Sequence, residues 1–391
     1  MDFELSEEQE ALRRTVRRFL AERAPMTYVR VMLDDDRGTT DEVWRGLADL
    51  GVTGLLVPED HGGAGMGMVD VGVVLEELGR AVHPGPFLSS AVAAVSTVLA
   101  VGSSADRGDL LPALADGSMT ATLALLEPER RAGWRAPATR LEGDRLSGTK
   151  VMVPDAVAAD IVFVSAACDA GLGVFAVDAR AGGVRITPTP TVDGTRKHGT
   201  VVLDGAPGRR LGARATDATD AVAVVVDRLL AALVVDGLGA AEAALEMAVA
   251  YAKERTQFGR PIGSFQAVQH LCADMLLSLE LGRAGAYYAL WAADEAYAGG
   301  TGDHEPAPDR SAQVAEAHRA ATMAKAFAGD AFFRIGASAI QVFGGIGFTW
   351  EHDVHLFYKR LLTLQQAYGT GTEHLEELAD LILPSVSSAN G

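Results

Sequence analysis

The chain has little cysteine. Its 391 residues include only Cys168 and Cys272, far apart and outside any Cys-x-x-Cys pair. That spacing argues against a disulfide framework and against structural zinc. Basic residues are also scarce: 34 Lys and Arg stand against 52 Asp and Glu, a formal net charge of −18. A phosphate backbone wants a basic face, so nucleic acid is not an expected partner. A few arginines focused at one place would still hold a small anionic ligand. No apolar run reaches the roughly 20 residues that a membrane-spanning helix needs. The run 91–101 is broken by Ser96 and Thr97, and Asp227 and Arg228 divide another. The first ten residues are acidic, where a secretory signal starts basic. A cytoplasmic protein without a membrane partner is the expectation.

What is present reads as an ordinary globular chain, 48% apolar and 22% charged. At roughly 100–200 residues per domain it holds two or three domains. Ser6 with Gln9 makes a capping box, and Leu12, Val16, Phe19 and Leu20 follow at helical spacing. Helices are predicted over 41–50, 69–80 and 89–101. Short β-rich runs then occupy 119–126, 145–153, 161–165, 173–177, 184–188 and 200–203, separated by turn pairs such as Gly143-Asp144 and Asp193-Gly194. They read as a small barrel or sandwich. Long helical stretches follow over 221–255, 264–298, 311–343 and 351–366. The predicted order is a helical domain (1–118), a β domain (119–213) and a helical bundle (214–391). His61, in the Gly-rich run 58–67, has no second His or Cys at ligand spacing, so no metal site is predicted.

Two segments carry chemistry. The first is Tyr251-Ala-Lys-Glu-Arg-Thr-Gln-Phe-Gly-Arg-Pro-Ile262, with Gln266 following in the next helix. A helix ending in basic residues before Gly and Pro explains the punctuation. It does not explain Arg255 set just before Phe258-Gly259. The second is Gln341-Val-Phe-Gly-Gly-Ile-Gly-Phe348. Together they resemble the acyl-CoA dehydrogenase signature, and the likeness extends along essentially the whole chain through Leu75-Glu-Glu-Leu-Gly79 and the domain order.

The resemblance implies an α+β fold: an N-terminal helical domain, a middle β-barrel domain and a C-terminal four-helix bundle. It implies FAD as cofactor. Arg255 takes the place of the arginine that meets the FAD pyrophosphate of a neighbouring subunit, and a planar guanidinium suits that task. Gln257, Phe258 and Gln266 fall along the same cofactor. Gln341, Gly344 and Gly345 match the Gln-x-x-Gly-Gly whose bare backbone approaches FAD. On the flavin side the matching residues are Leu126, Met152, Val153 and Thr370. There the chain departs from the family pattern, because Met152-Val153-Pro154 replaces Trp-Ile-Thr, and Pro154 has neither hydroxyl nor N–H. The implied partners are an acyl-CoA substrate, an electron-transfer flavoprotein as acceptor, and further chains in a homo- or hetero-oligomer.

The implied reaction, α,β-dehydrogenation, needs a carboxylate near the substrate α-carbon. The glutamate that most relatives place before Gly-Thr falls on Tyr368, and the place some relatives use in the first long bundle helix falls on Leu229. Asp227 is the first substitute for the base, Asp236 lies on the same helical face, and Tyr368 lines the site or donates a hydrogen bond. Three functions remain open. The chain is a dehydrogenase with an unusual base, a base-lacking partner in a heteromeric dehydrogenase, or an oxidase or non-redox CoA-ester binder.

Overall fold

The structure is a computed structural model describing residues 4–128, 133–297 and 310–383. α1 (Glu7–Arg23) starts at the predicted cap: Ser6 Oγ accepts from Gln9 N–H, and the Gln9 side chain accepts from Ser6 N–H. α2 (Met26–Met32), α3 (Asp41–Asp49) and α4 (Met68–Arg80) follow. A π-helical stretch, Phe87–Ala94, continues into α5 (Val95–Val101), and α6 (Ser104–Ala115) closes the helical layer. α2 and α6 escape the sequence reading. The first has seven residues, and Pro112 interrupts the second.

The middle of the chain forms one mixed sheet. Its strands are β1 (Ala121–Ala124), β2 (Arg140–Glu142), β3 (Arg145–Pro154), β4 (Ile161–Cys168), β5 (Gly171–Asp178), β6 (Val184–Thr189), β7 (His198–Pro207) and β8 (Arg209–Arg210). They lie in the order β6-β7-β3-β2-β4-β5-β8, with β1 parallel to β4. Period-2 alternation gives the sheet two apolar faces. Val162, Val164 and Ala166 enter its own core with Leu146, Phe175 and Val201, while Phe163 joins the helical core. β2 and β8, three and two residues long, are too short to show a period in sequence.

The bundle consists of α7 (Thr219–Glu254), α8 (Gln266–Tyr297), α9 (Arg310–Phe343) and α10 (Val354–Gln366). A ribbon of β9 (Thr256–Gln257) and β10 (Arg260–Pro261) separates the first two. A further helix, α11 (Gly371–Ile382), rests on α9. Residues Ser311–Phe348 are long and apolar enough to cross a bilayer, but α9 is in contact with α7, α8, α10 and α11.

A buried ionic clasp joins the three layers. Arg360 of α10 is 2% exposed. Its Nη1 bonds both carboxylate oxygens of Asp236 on α7 at 3.0 Å, and its Nε reaches Asp193 Oδ2 at 3.1 Å. Its Nη2 donates to Thr195 Oγ1 at 2.7 Å and to the His83 carbonyl at 3.2 Å. Arg196 adds a second cation to Asp236 at 2.6 Å.

Candidate functional site

The two motif segments meet. Arg255 leaves α7 with extended backbone (ψ 118°), and the β9–β10 turn places Phe258 and Gly259 at φ 53° and 78°. Two positive φ values are what a two-residue hairpin loop demands. The side chain of Phe258 is left 90% exposed. Arg255, Gln257 and Phe258 line an open groove of about 600 Å³ together with Gln341, Gly344 and Gly345. Tyr251 and Phe343 pack in its wall with centroids 4.5 Å apart and planes tilted by 33°. A Cβ added at Gly344 or Gly345 would meet nothing within 4 Å, so the backbone there lies open to a ligand. Arg255 is exposed and has no acidic partner among the described residues. A free guanidinium facing bare backbone suits a pyrophosphate. Gln266, the first residue of α8, is exposed and is not one of the groove's walls.

Of the flavin-side residues, Thr370 lies at the turn between α10 and α11 and Leu126 lines a cleft beside it, whereas Met152 and Val153 do not line that cleft. Tyr368 and Gly369 sit at φ 53° and 111° between α10 and α11. Left-handed backbone at a tyrosine is strained and needs holding in place. The buried Lys325 of α9 donates to the Gly369 carbonyl at 2.7 Å, and His374 donates to the Tyr368 carbonyl at 3.1 Å. Burial pushes the Lys325 ammonium down to about 8. Thr370 caps α11, its hydroxyl bonded to Glu373 at 2.9 Å. Leu126 and Tyr368 line a cleft of about 350 Å³. Met152 is exposed at φ 51°, whereas the side chain of Val153 is buried in the sheet core, leaving only its backbone for a ligand. A buried pair, Lys150 Nζ to Glu127 Oε1 at 2.8 Å, braces the segment that bears Leu126. Burial favours neutral Glu127, but Lys150 and the N–H groups of Ala138 and Thr139 outweigh it and hold the acid down at about 2.

Asp227 lines the same cleft. It is buried, and Oδ1 accepts from His318 Nδ1 at 2.8 Å. His318 Nε2 lies 3.4 Å from Glu377, which lies 3.6 Å from His374. Burial raises Asp227 against the opposing pull of His318, while the Asp227 bond lifts the imidazole to about 10. Asp227 is therefore paired with an imidazolium at neutral pH. Asp236 is locked in the clasp, and the two arginines overcome burial to hold its acid below the usual carboxylate range.

Tyr368 and Leu229 face a single inner cavity of about 50 Å³ behind the cleft. Burial pushes the Tyr368 phenol well above the usual tyrosine range. The cavity also exposes two residues that sequence reasoning missed, Asp155 and Arg196. Neither stands in a recognisable pattern, since Asp155 follows the end of β3 and Arg196 lies in the loop before β7, where only the fold sets side-chain directions. Asp155 is buried at φ 49° and accepts from Ser89 Oγ at 2.7 Å, and burial raises its acid to about 6. A raised acid favours the native state only while protonated. Its contribution is complete below the ordinary value of 3.8 and is lost as pH rises through about 6. Asp155→Asn keeps the Ser89 acceptor and tolerates the left-handed backbone. We expect it to be more stable than wild type by roughly 3 kcal/mol above pH 6, and the difference to vanish below about pH 4. Urea unfolding at pH 4 and pH 7.5 checks this; equal stability at both values refutes it.

Residues 6–118 match the acyl-CoA dehydrogenase N-terminal domain, and residues 226–383 match the acyl-CoA dehydrogenase C-terminal domain. The chain is similar to acyl-CoA dehydrogenase IpdE2 of Mycolicibacterium smegmatis, 31% identical, with 96% of this chain and 98% of the relative covered. It is also similar to a variant of the Tcur3481-Tcur3483 steroid ACAD, with TM-score 0.83 and 34% identity over 96% of this chain and 98% of that one. The ChsE4-ChsE5 complex from Mycobacterium tuberculosis gives TM-score 0.83 and 27% identity over 98% and 100%. Among the described residues no group of three or more His, Cys, Asp or Glu is placed to hold a metal ion.

Proposed function

Because the chain belongs to the acyl-CoA dehydrogenase family, we propose that it serves as the base-lacking subunit of a heteromeric acyl-CoA dehydrogenase, offering Arg255 and Gly344-Gly345 to an FAD seated mainly on a second chain. FAD is the cofactor, and when bound it accepts the substrate β-hydrogen together with its electron pair. The protein must then bind the thioester, present the α-proton to an acceptor and exclude water.

The observation that carries the proposal is the pair of base positions. Tyr368 and Leu229 face one cavity, and neither is a carboxylate. The phenol is a poor acceptor at neutral pH, and Asp236 is held by Arg360 and Arg196. Pro154 removes the hydroxyl and the N–H that the family pattern places at the flavin. The likeness to the ChsE4-ChsE5 complex supports a second, different chain. We further propose an electron-transfer flavoprotein as the acceptor and the cytoplasm as the location.

A second reading rests on Asp227. Its carboxylate lines the cleft with Tyr368, and burial raises its acid, so it is the candidate base for a chain active alone. Anaerobic bleaching of the flavin by acyl-CoA esters separates the readings. Bleaching by the chain alone, lost in Asp227→Asn, supports the relocated base. No bleaching alone, but bleaching in Tyr368→Glu, supports the base-lacking subunit.

Gly345→Val gives an independent check on the groove. A Cβ added there meets nothing within 4 Å in the isolated chain. We expect an unchanged melting temperature for the chain without FAD but at least about tenfold weaker FAD retention in the assembled protein, since a side chain now fills the approach to the backbone. Unchanged FAD content after gel filtration would count against the groove as a cofactor surface.

A further inference from the structure

The inner cavity behind Tyr368 has two unlike walls. Leu123, Leu229 and Leu233 are among its apolar lining, and Ser89, Asp155, Arg196 and His198 are among its polar lining, the polar wall. We propose that the polar wall is a recognition subsite for a hydrogen-bond-accepting oxygen at the far end of the acyl group, so that the esters taken by this chain end in a carboxylate or a ketone rather than in plain hydrocarbon. The inference rests on the reading that an acyl-CoA ester enters the cleft beside Tyr368.

Tyr368 borders both the cleft and the inner cavity, so an acyl group passing it arrives at the polar wall. Arg196 lines the cavity and pairs with Asp236 through Nη2 at 2.6 Å. His198 Nδ1 is buried without a partner. Buried polar atoms left without partners are unfavourable, and a site that keeps them suits a ligand that supplies the partner; with its hydrogen on Nδ1, His198 takes an oxygen. A hydrocarbon end would leave them unpaired, which is how a polar pocket rejects an apolar analogue. The volume of about 50 Å³ suits a small polar end group, not a long tail.

The charges around the cavity separate the two kinds of oxygen. Lys197 and Arg360 also border it, as does Asp236, which the arginines hold ionised, and burial keeps His198 neutral. Asp155 is the remaining carboxyl, and its acid lies at about 6. A carboxylate-ended ester therefore meets a second negative charge once Asp155 ionises, and its affinity falls as pH rises through 6. A ketone-ended ester does not share that fall.

The test uses the FAD-loaded assembled protein and matched six-carbon probes: hexanoyl-CoA, 5-oxohexanoyl-CoA and adipoyl-CoA, measured by equilibrium dialysis. The oxygen-ended esters should bind at least about tenfold more tightly than hexanoyl-CoA. Arg196→Met should bring the ratio below about threefold. Ser89→Ala and Asp155→Asn leave the Arg196–Asp236 pair intact, and serve if Arg196→Met does not fold. Ser89→Ala should lower the ratio, and Asp155→Asn should remove the pH dependence for adipoyl-CoA, so that its affinity no longer falls above pH 6. Equal affinities in wild type, an unchanged ratio in folded Arg196→Met or Ser89→Ala, or an unchanged pH dependence in Asp155→Asn overturns the proposal. If no ester binds the wild-type assembly while FAD is retained, the reading that an acyl-CoA enters this cleft falls, and the subsite with it.

Discussion

Arg360→Met should lower the unfolding free energy by about 3–5 kcal/mol, the scale for breaking a buried ion pair and stranding its partner. The guanidinium is nearly inaccessible and fully engaged, with Asp236 on one side, Asp193 and Thr195 on another, and the His83 carbonyl on a third. Methionine fills much of the volume but satisfies none of these groups. Asp236 keeps Arg196 alone, and Asp193 loses its cation. The partners lie in three separate stretches of chain, so the loss should also uncouple the layers. Urea unfolding followed by tryptophan fluorescence and by far-ultraviolet circular dichroism should then give two transitions that no longer coincide. A single transition shifted by less than 1 kcal/mol would show that packing alone joins the layers.

Arg255→Ala is the second large effect, and it concerns the cofactor rather than the fold. The side chain is exposed and takes part in no ion pair among the described residues, so removing it should leave the melting temperature of the chain without FAD within a degree or two. A charge-assisted bond to a pyrophosphate is worth roughly 1.5–3 kcal/mol, which corresponds to about a tenfold to hundredfold weaker FAD affinity. Absorbance at the flavin band after dilute gel filtration checks this. FAD content equal to that of wild type would remove the groove from the cofactor site.

The groove was legible in sequence because its parts are local. A helix stop, a tight turn and a Gly-Gly step each leave a mark, and the fold only had to bring 255–258 and 341–345 together. The helices of the bundle were legible for the same reason, although α11 was not set apart as its own element. The polar side of the inner cavity was not legible. Asp155 follows a bulged strand end, Arg196 lies in a loop, and Arg360 sits on a helix beside Lys359. Nothing in their spacing says that they converge, since convergence depends on how the sheet lies against α7 and α10. Asp227 was visible as a candidate base, but its bond to His318, 91 residues away, appears only in three dimensions.

The central claim is that this chain offers its groove to a shared FAD and lacks a carboxylate base of its own. The most direct measurement is anaerobic flavin bleaching by acyl-CoA esters, with the chain purified alone and with it assembled with a second acyl-CoA dehydrogenase chain that carries the glutamate. We predict no bleaching by the chain alone and bleaching by the assembly, reduced in parallel with FAD content by Arg255→Ala. Bleaching by the chain alone, at a rate that the second chain does not change, would contradict the account.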